Sequence, residues 1–189
     1  MNAKLIYVVG PSGAGKDSLL NWLRAQLPAQ LPVAWARRTI NRACAADGEM
    51  HDSVSTAQFN RLLEAHEFAM HWAANEHLYG IRHAELGPLT QRQWVFVNGS
   101  RAHLPQAAQL YPELTVLHIT ADIEVLRQRL LGRGRESHEA IENRLNRTLA
   151  LRVPPGCQLI EIHNHDSLAS SGQQLLKALQ ALQDWPTHE

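Results

Sequence analysis

The chain has 189 residues, with 18 Lys plus Arg balancing 18 Asp plus Glu for a formal net charge of zero. That length suits one domain with a substantial core. The balance excludes a nucleic-acid or membrane-surface partner held by bulk charge. Cys44 and Cys157 are far apart, fit no zinc pattern and suggest no disulfide framework. No apolar run is long enough to span a bilayer, and a strand beginning near residue 4 leaves no room for a signal peptide, so the expected location is cytoplasmic.

Leu5-Ile6-Tyr7-Val8-Val9 is a short apolar, β-branched run that reads as a buried strand. It leads into Gly10-Pro11-Ser12-Gly13-Ala14-Gly15-Lys16-Asp17-Ser18, and then into Leu19-Leu20-Asn21-Trp22-Leu23 at helical spacing. Strand, glycine loop and helix form the context of a phosphate-binding P-loop. The glycines let successive N–H groups turn toward phosphate oxygens, and the helix N-terminus adds partial positive charge. Lys16 is the group expected to reach the β- and γ-phosphates. One position departs from the motif: Asp17 stands where Ser or Thr is usual, and Ser18 follows it.

The first helix is expected over 15–26, ending before Pro28. Residues 33–36 read as a second strand, and 37–55 as a long polar loop, a length that usually signals function. Ser55 caps a helix over 56–66, with Phe59, Leu62 and Leu63 on one face. A hairpin is expected over 67–79 around Asn75-Glu76, and Gly87-Pro88 breaks the mixed stretch that follows. Trp94-Val95-Phe96-Val97 is a buried strand ending in Asn98-Gly99-Ser100-Arg101; a helix to about Leu110 and a strand over 114–119 come next. Asp122 caps a helix whose apolar side carries Ile123, Leu126, Leu130 and Leu131. After Gly132-Arg133-Gly134-Arg135, Ser137 opens a further helix with Ala140, Ile141 and Leu145. A last strand covers 159–162 and a last helix 168–182. This alternation predicts an α/β fold with a parallel sheet covered by helices on both faces. Eleven histidines raise a metal site, but His163-Asn164-His165 does not have ligand spacing.

The P-loop resembles that of guanylate kinase, as do Arg127-Gln128-Arg129-Leu130-Leu131-Gly132-Arg133-Gly134-Arg135, Ile141-Glu142-Asn143-Arg144-Leu145, and the segment from Phe68 to Gly80 with Trp72-Ala73 and Tyr79-Gly80. The likeness covers nearly the whole chain. It implies a P-loop three-layer sandwich comprising one domain over 1–189, with a substrate-binding insertion at about 37–92 and a lid at about 132–147. On that resemblance Lys16, Arg133 and Arg144 serve catalysis, with Arg135 and Arg147 in the same lid segment. Arg38, Arg42 and Tyr79 hold substrate phosphate, with His51 at a position usually occupied by tyrosine. Asn164, after the last strand, meets adenine. Trp35 and Trp72 are assigned to packing.

Where guanylate kinases carry acidic groups that read the base, this chain has Met70-His71 and Asn98-Gly99-Ser100-Arg101. Guanine presents N1–H and N2–H₂ donors, so a site without carboxylate acceptors discriminates for it poorly. The loss of acid, the Gly15-Lys16-Asp17-Ser18 segment and the Asn98-x-Ser100-Arg101 segment together resemble the ribose 1,5-bisphosphate phosphokinase family of phosphonate metabolism. That resemblance implies ATP as donor with Mg²⁺, a small sugar bisphosphate as acceptor contacted by Ser100 and Arg101, and 5-phosphoribosyl 1-diphosphate as product. A guanylate or other nucleoside-monophosphate kinase is the alternative enzyme. A non-catalytic guanylate-kinase-like module is the alternative of another class, disfavoured because Lys16 and the lid arginines are retained. The sequence carries no signal of oligomeric state. Asp17 is expected to meet Mg²⁺, since the central strand ends in the neutral Asn98; the competing readings are an acid complementing the helix dipole and a partner for a lid arginine.

Overall fold

The computed structural model describes residues 4–42, 51–132, 138–146 and 151–186; within 138–146, side chains are described for His138, Glu139, Ile141, Glu142 and Leu145. The first strand, β1 (Leu5–Val9), has all five side chains out of water. It is followed by α1 (Lys16–Gln26), β2 (Val33–Trp35), β3 (Arg38–Ile40), β4 (Asp52–Ser53), α2 (Thr56–Glu64), β5 (Phe68–Ala74) and β6 (His77–Arg82). Then come α3 (His83–Leu86), a 3₁₀ turn over Gly87–Gln91, β7 (Trp94–Asn98), α4 (Leu104–Leu110), β8 (Thr115–Thr120), α5 (Ile123–Gly132), α6 (His138–Asn146), β9 (Gln158–His163) and α7 (Leu168–Gln180).

Five strands form an all-parallel sheet in the order β2-β7-β1-β8-β9. Parallel strands require long crossovers, and helices supply them. Alternation along β1 divides the core. Ile6 and Val8 face Leu19, Leu23, Leu117 and Ile119 and the α7 residues Leu175 and Leu179. Leu5, Tyr7 and Val9 face Val95, Val97, Leu104 and Ala107, together with Met70 and Ile81. A strand sandwiched in this way reads as an unbroken apolar run, which is why β1 was legible. Trp35 stacks on Phe96 with ring centroids 4.4 Å apart, a packing role as expected.

The polar stretch after β2 is not simply a loop. β3 and β4 join β5 and β6 in a second sheet of order β4-β3-β6-β5. Arg38-Thr39-Ile40 is too short to carry a readable period, and it becomes a strand through pairing with β6. The expected hairpin is present: Asn75 and Glu76 adopt the left-handed conformation, with φ of 48° and 63°, between β5 and β6. Ser55 caps α2 in a full capping box with Gln58. Phe59 on α2 stacks on Phe68 of β5, with centroids 4.6 Å apart.

In α5, Leu126 and Leu130 are buried, whereas Ile123 is 49% exposed. Arg127 grips Glu142 through two hydrogen bonds of 2.7 and 3.2 Å and also pairs with Glu124, tying α5 to α6. No helix among the described residues is long and apolar enough to cross a membrane.

The α2 cap yields a direct test. Ser55→Ala removes the acceptor for the Gln58 N–H and is expected to cost about 1 kcal/mol of stability. Urea unfolding checks this.

Candidate active site

The glycine loop springs from the carboxyl end of β1, and two of its glycines are there for space. A Cβ on Gly10 would lie 2.0 Å from the Ile119 carbonyl oxygen. Gly15 has φ +82°, and a Cβ there would lie 2.4 Å from Asn164 Nδ2. Lys16 Nζ donates to the carbonyls of Gly10 at 2.9 Å and Pro11 at 3.1 Å, so the ammonium spans the mouth of the loop. Asp17, in the first turn of α1, accepts from Asn98 Nδ2 at 2.7 Å.

Asn164 is 3% exposed, and its amide donates to the Ala14 carbonyl at 2.8 Å. It lies against the glycine loop and fastens it. Arg129 Nη1 reaches the carbonyls of Gly13 and Ala14 at 3.4 and 3.5 Å. Gly13, Gly15, Ser18, Arg129, Gly132, Asn164 and Leu168 line a cavity of about 460 Å³. Ser12 and the remaining loop residues Pro11 and Ala14 stand at the same turn; Ala14 is fully buried. Arg129 was not singled out in the sequence reading. The available signal was its spacing: three residues after the buried Leu126, it lies on the same side of α5.

A second group lies beyond the end of β7. The Tyr7 hydroxyl accepts from the Ser100 N–H at 3.2 Å and lies 3.0 Å from His103 Nδ1. The direction of the Tyr7–His103 bond follows the imidazole tautomer. Burial pushes the Tyr7 phenol well above its usual range, against the Ser100 hydrogen bond and the charge of Arg38. Burial also holds the His103 imidazole down, with help from nearby His71. Gly99 must be glycine, because a Cβ there would lie 2.1 Å from the Tyr7 ring.

A stack connects this group to the second sheet. His103 lies against Trp72 at 5.1 Å between centroids, Trp72 against Tyr79 at 5.7 Å, and the Arg38 guanidinium stands 5.4 Å from the centre of the Tyr79 ring. Arg38, Tyr79 and Ser100, assigned separately in the sequence, are thus joined through Trp72, His103 and Tyr7. Arg101 follows directly and is half-buried, and burial lowers its guanidinium below the ordinary range. Tyr7 and His103 were missed as site residues. The available signal was chemical: a phenol inside a run of otherwise apolar strand residues needs a polar partner.

Arg42 and His51 meet at another point. His51, 6% exposed, bonds through Nε2 to the Arg42 carbonyl at 3.1 Å, and Ser53 Oγ donates to the same oxygen at 2.7 Å. His51 therefore braces the chain that carries Arg42. Arg37 pairs with Asp52 at 3.1 Å, and Arg82 lies 3.7 Å from the same carboxylate. Arg133 lies outside the described residues, as do Arg135 and Arg147. Arg144 is on α6, whose backbone is described there without the side chain.

A glycine loop at the carboxyl end of a parallel strand, a lysine across its mouth and a cationic, aromatic wall beside it define a P-loop phosphotransferase site. The guanylate kinase family model matches residues 2–181. The guanylate kinase from Anaplasma phagocytophilum has the same fold, with a TM-score of 0.68 over 95% of this chain and 86% of that one, at 14% identity. The ribose 1,5-bisphosphate phosphokinase PhnN of Agrobacterium fabrum is 39% identical, covering 93% of this chain and 96% of its own length. The protein of the same description from Janthinobacterium sp. (strain Marseille) is 41% identical over 94% of this chain, which spans only 39% of that relative. The chain belongs to the guanylate kinase family and, within it, to the ribose 1,5-bisphosphate phosphokinases.

The buried imidazole has a pH consequence. With His103 held below its ordinary value, the unfolded chain takes up the proton first on acidification. Its favourable contribution is present above about pH 6.5 and is lost as pH falls below that. Wild type is expected to lose stability more steeply than His103→Gln between about pH 7.5 and 5.5, measured by urea unfolding at each pH.

Proposed function

We propose that the chain transfers the γ-phosphoryl group of ATP to the 1-phosphate of ribose 1,5-bisphosphate, forming 5-phosphoribosyl 1-diphosphate and ADP. The observation that carries this reading is the 39% identity to the Agrobacterium phosphokinase along nearly the full length of both chains. It is supported by an acceptor wall built from Arg38, Tyr79, Trp72, His103 and Tyr7, with Arg101 beside it. Guanidinium groups suit phosphates, and the wall has little with which to read a base.

A 1-phosphate oxygen attacks the γ-phosphorus. The bond from that phosphorus to the β–γ bridging oxygen breaks, and the bridging oxygen leaves with ADP. The acceptor is already ionised at neutral pH, so no strong general base is needed and the protein's work is positioning and charge stabilisation. In this reading the loop N–H groups cradle the phosphates, and Lys16 moves from the Gly10 and Pro11 carbonyls to the β- and γ-oxygens. Asn164 and Arg129 keep the loop in shape from the side of the cavity. Arg38 and Arg42, with Tyr79 and His51 behind them, and Ser100 with Arg101 take the two phosphates of the acceptor. Arg133 and Arg144 close over the transferring group.

Magnesium fits this donor set. Among the described residues no three His, Cys, Asp or Glu side chains gather into a cage. An ion that keeps its waters and shares phosphate oxygens needs only one or two carboxylates, and Asp17 offers one, with Ser18 beside it. Bound there, Mg²⁺ would neutralise phosphate charge.

Two measurements test the reading. ADP release is expected to be faster with ribose 1,5-bisphosphate than with GMP or AMP by several orders of magnitude in kcat/KM; equal or better turnover of GMP overturns it. Arg133→Ala and Arg144→Ala are expected to lower kcat by about 10²–10⁵ while ATP affinity changes little, because their charge acts on the transition state. Near-normal kcat in both variants removes them from the chemistry.

A further inference from the structure

The contact between Asp17 and Asn98 joins the two departures of this phosphate loop. In an ordinary P-loop a Ser or Thr hydroxyl on the helix meets the metal, and an Asp at a neighbouring strand end supports it. Here the helix carries Asp17, and the neighbouring strand ends in an amide that touches it, Asn98 Nδ2 to Asp17 Oδ1, at 2.7 Å. We propose that acid and neutral group have exchanged places, and that Asn98 is a positioning residue that holds the Asp17 carboxylate for magnesium. The inference rests on the ATP-dependent reading above, but not on the identity of the acceptor.

Three observations carry it. Asn98 is 4% exposed, and from that buried position its Nδ2 donates to Asp17 Oδ1. Its backbone is held rigidly, since Val8 and Asn98 are register partners and the Gly99 N–H donates to the Val8 carbonyl at 2.8 Å. The amide therefore reaches Asp17 from a fixed strand end and takes Oδ1, leaving Oδ2 as the oxygen for the ion. An acid serving only the helix dipole needs no such partner. The exchange also keeps the charge at one unit: a carboxylate at both positions, within hydrogen-bond distance, would repel.

The test compares wild type, Asp17→Ser, Asn98→Asp and the double variant, which restores the ordinary arrangement. Manganese binding to the protein·ATP complex is followed by electron paramagnetic resonance, and binding of a fluorescent ATP analogue is titrated with Mg²⁺. Asp17→Ser is expected to weaken metal binding about 10–100-fold, and the double variant to recover most of that loss. A double variant that folds and binds metal as weakly as Asp17→Ser overturns the exchange, as does an Asp17→Ser protein that binds like wild type. Should the double variant fail to fold, Asn98→Ala decides: about tenfold weaker metal binding with unchanged metal-free ATP affinity supports positioning, and unchanged metal binding overturns it. A wild type that binds no ATP in the presence of Mg²⁺ overturns instead the reading on which the inference rests.

Discussion

β1 lies between β7 and β8 with every side chain buried, and its neighbours hold it in register from both sides. From Leu5 to Val9 it cannot slide, because a shift of one residue would put Tyr7 among the aliphatic side chains under α1 and α7. Its carboxyl end is therefore a fixed point. Gly10 leaves that point close to the Ile119 carbonyl, with no room for a side chain, so the path of the phosphate loop is set by the sheet beneath it. The same register brings Asn98 level with Val8, and hence to Asp17. The placing of the glycine loop, Asp17 and Asn98 is a consequence of three adjacent parallel strands, β7, β1 and β8.

The aromatic wall depends on a different contact. Tyr7 points to the opposite face of β1 from the glycine-loop helix, and its hydroxyl meets both the Ser100 N–H and His103. From His103 the rings of Trp72 and Tyr79 lead to Arg38 on the second sheet. The second sheet is thus coupled to the core by a continuous stack of aromatic faces. The turn at Gly99 connects the two groups: Asn98 serves the loop, and Ser100, two residues later, serves the wall. Asn98 Nδ2, the Ser100 N–H and the Tyr7 hydroxyl each meet a group on another element, and such cross-element pairing makes the arrangement specific.

Local sequence was enough for much of this. The run at β1, the loop glycines, the Ser55 cap and the Asn75-Glu76 turn are read from neighbours in the chain, because strand burial, left-handed turns and caps are short-range effects. The P-loop and Lys16 came from the same kind of reading, and the family resemblance added Arg38, Tyr79 and Asn164 as candidates. The second sheet was only half visible. β5 and β6 declare themselves as a hairpin, whereas β3 and β4 have three and two residues and exist through pairing with distant segments.

What the sequence determined by itself is therefore the chemistry on offer: a phosphate loop with an acid in an unusual place, an arginine-rich segment from Arg127 to Arg135 and the neutral run Asn98-Gly99-Ser100 after a buried strand. What only the tertiary structure decided is which groups act together. Asp17 and Asn98 are 81 residues apart, Ala14 and Asn164 are 150 apart, and Tyr7 and His103 are 96 apart. No periodicity or spacing links such pairs. They meet because strand order in the sheet, set by burial of both its faces, carries distant ends of the chain to one edge.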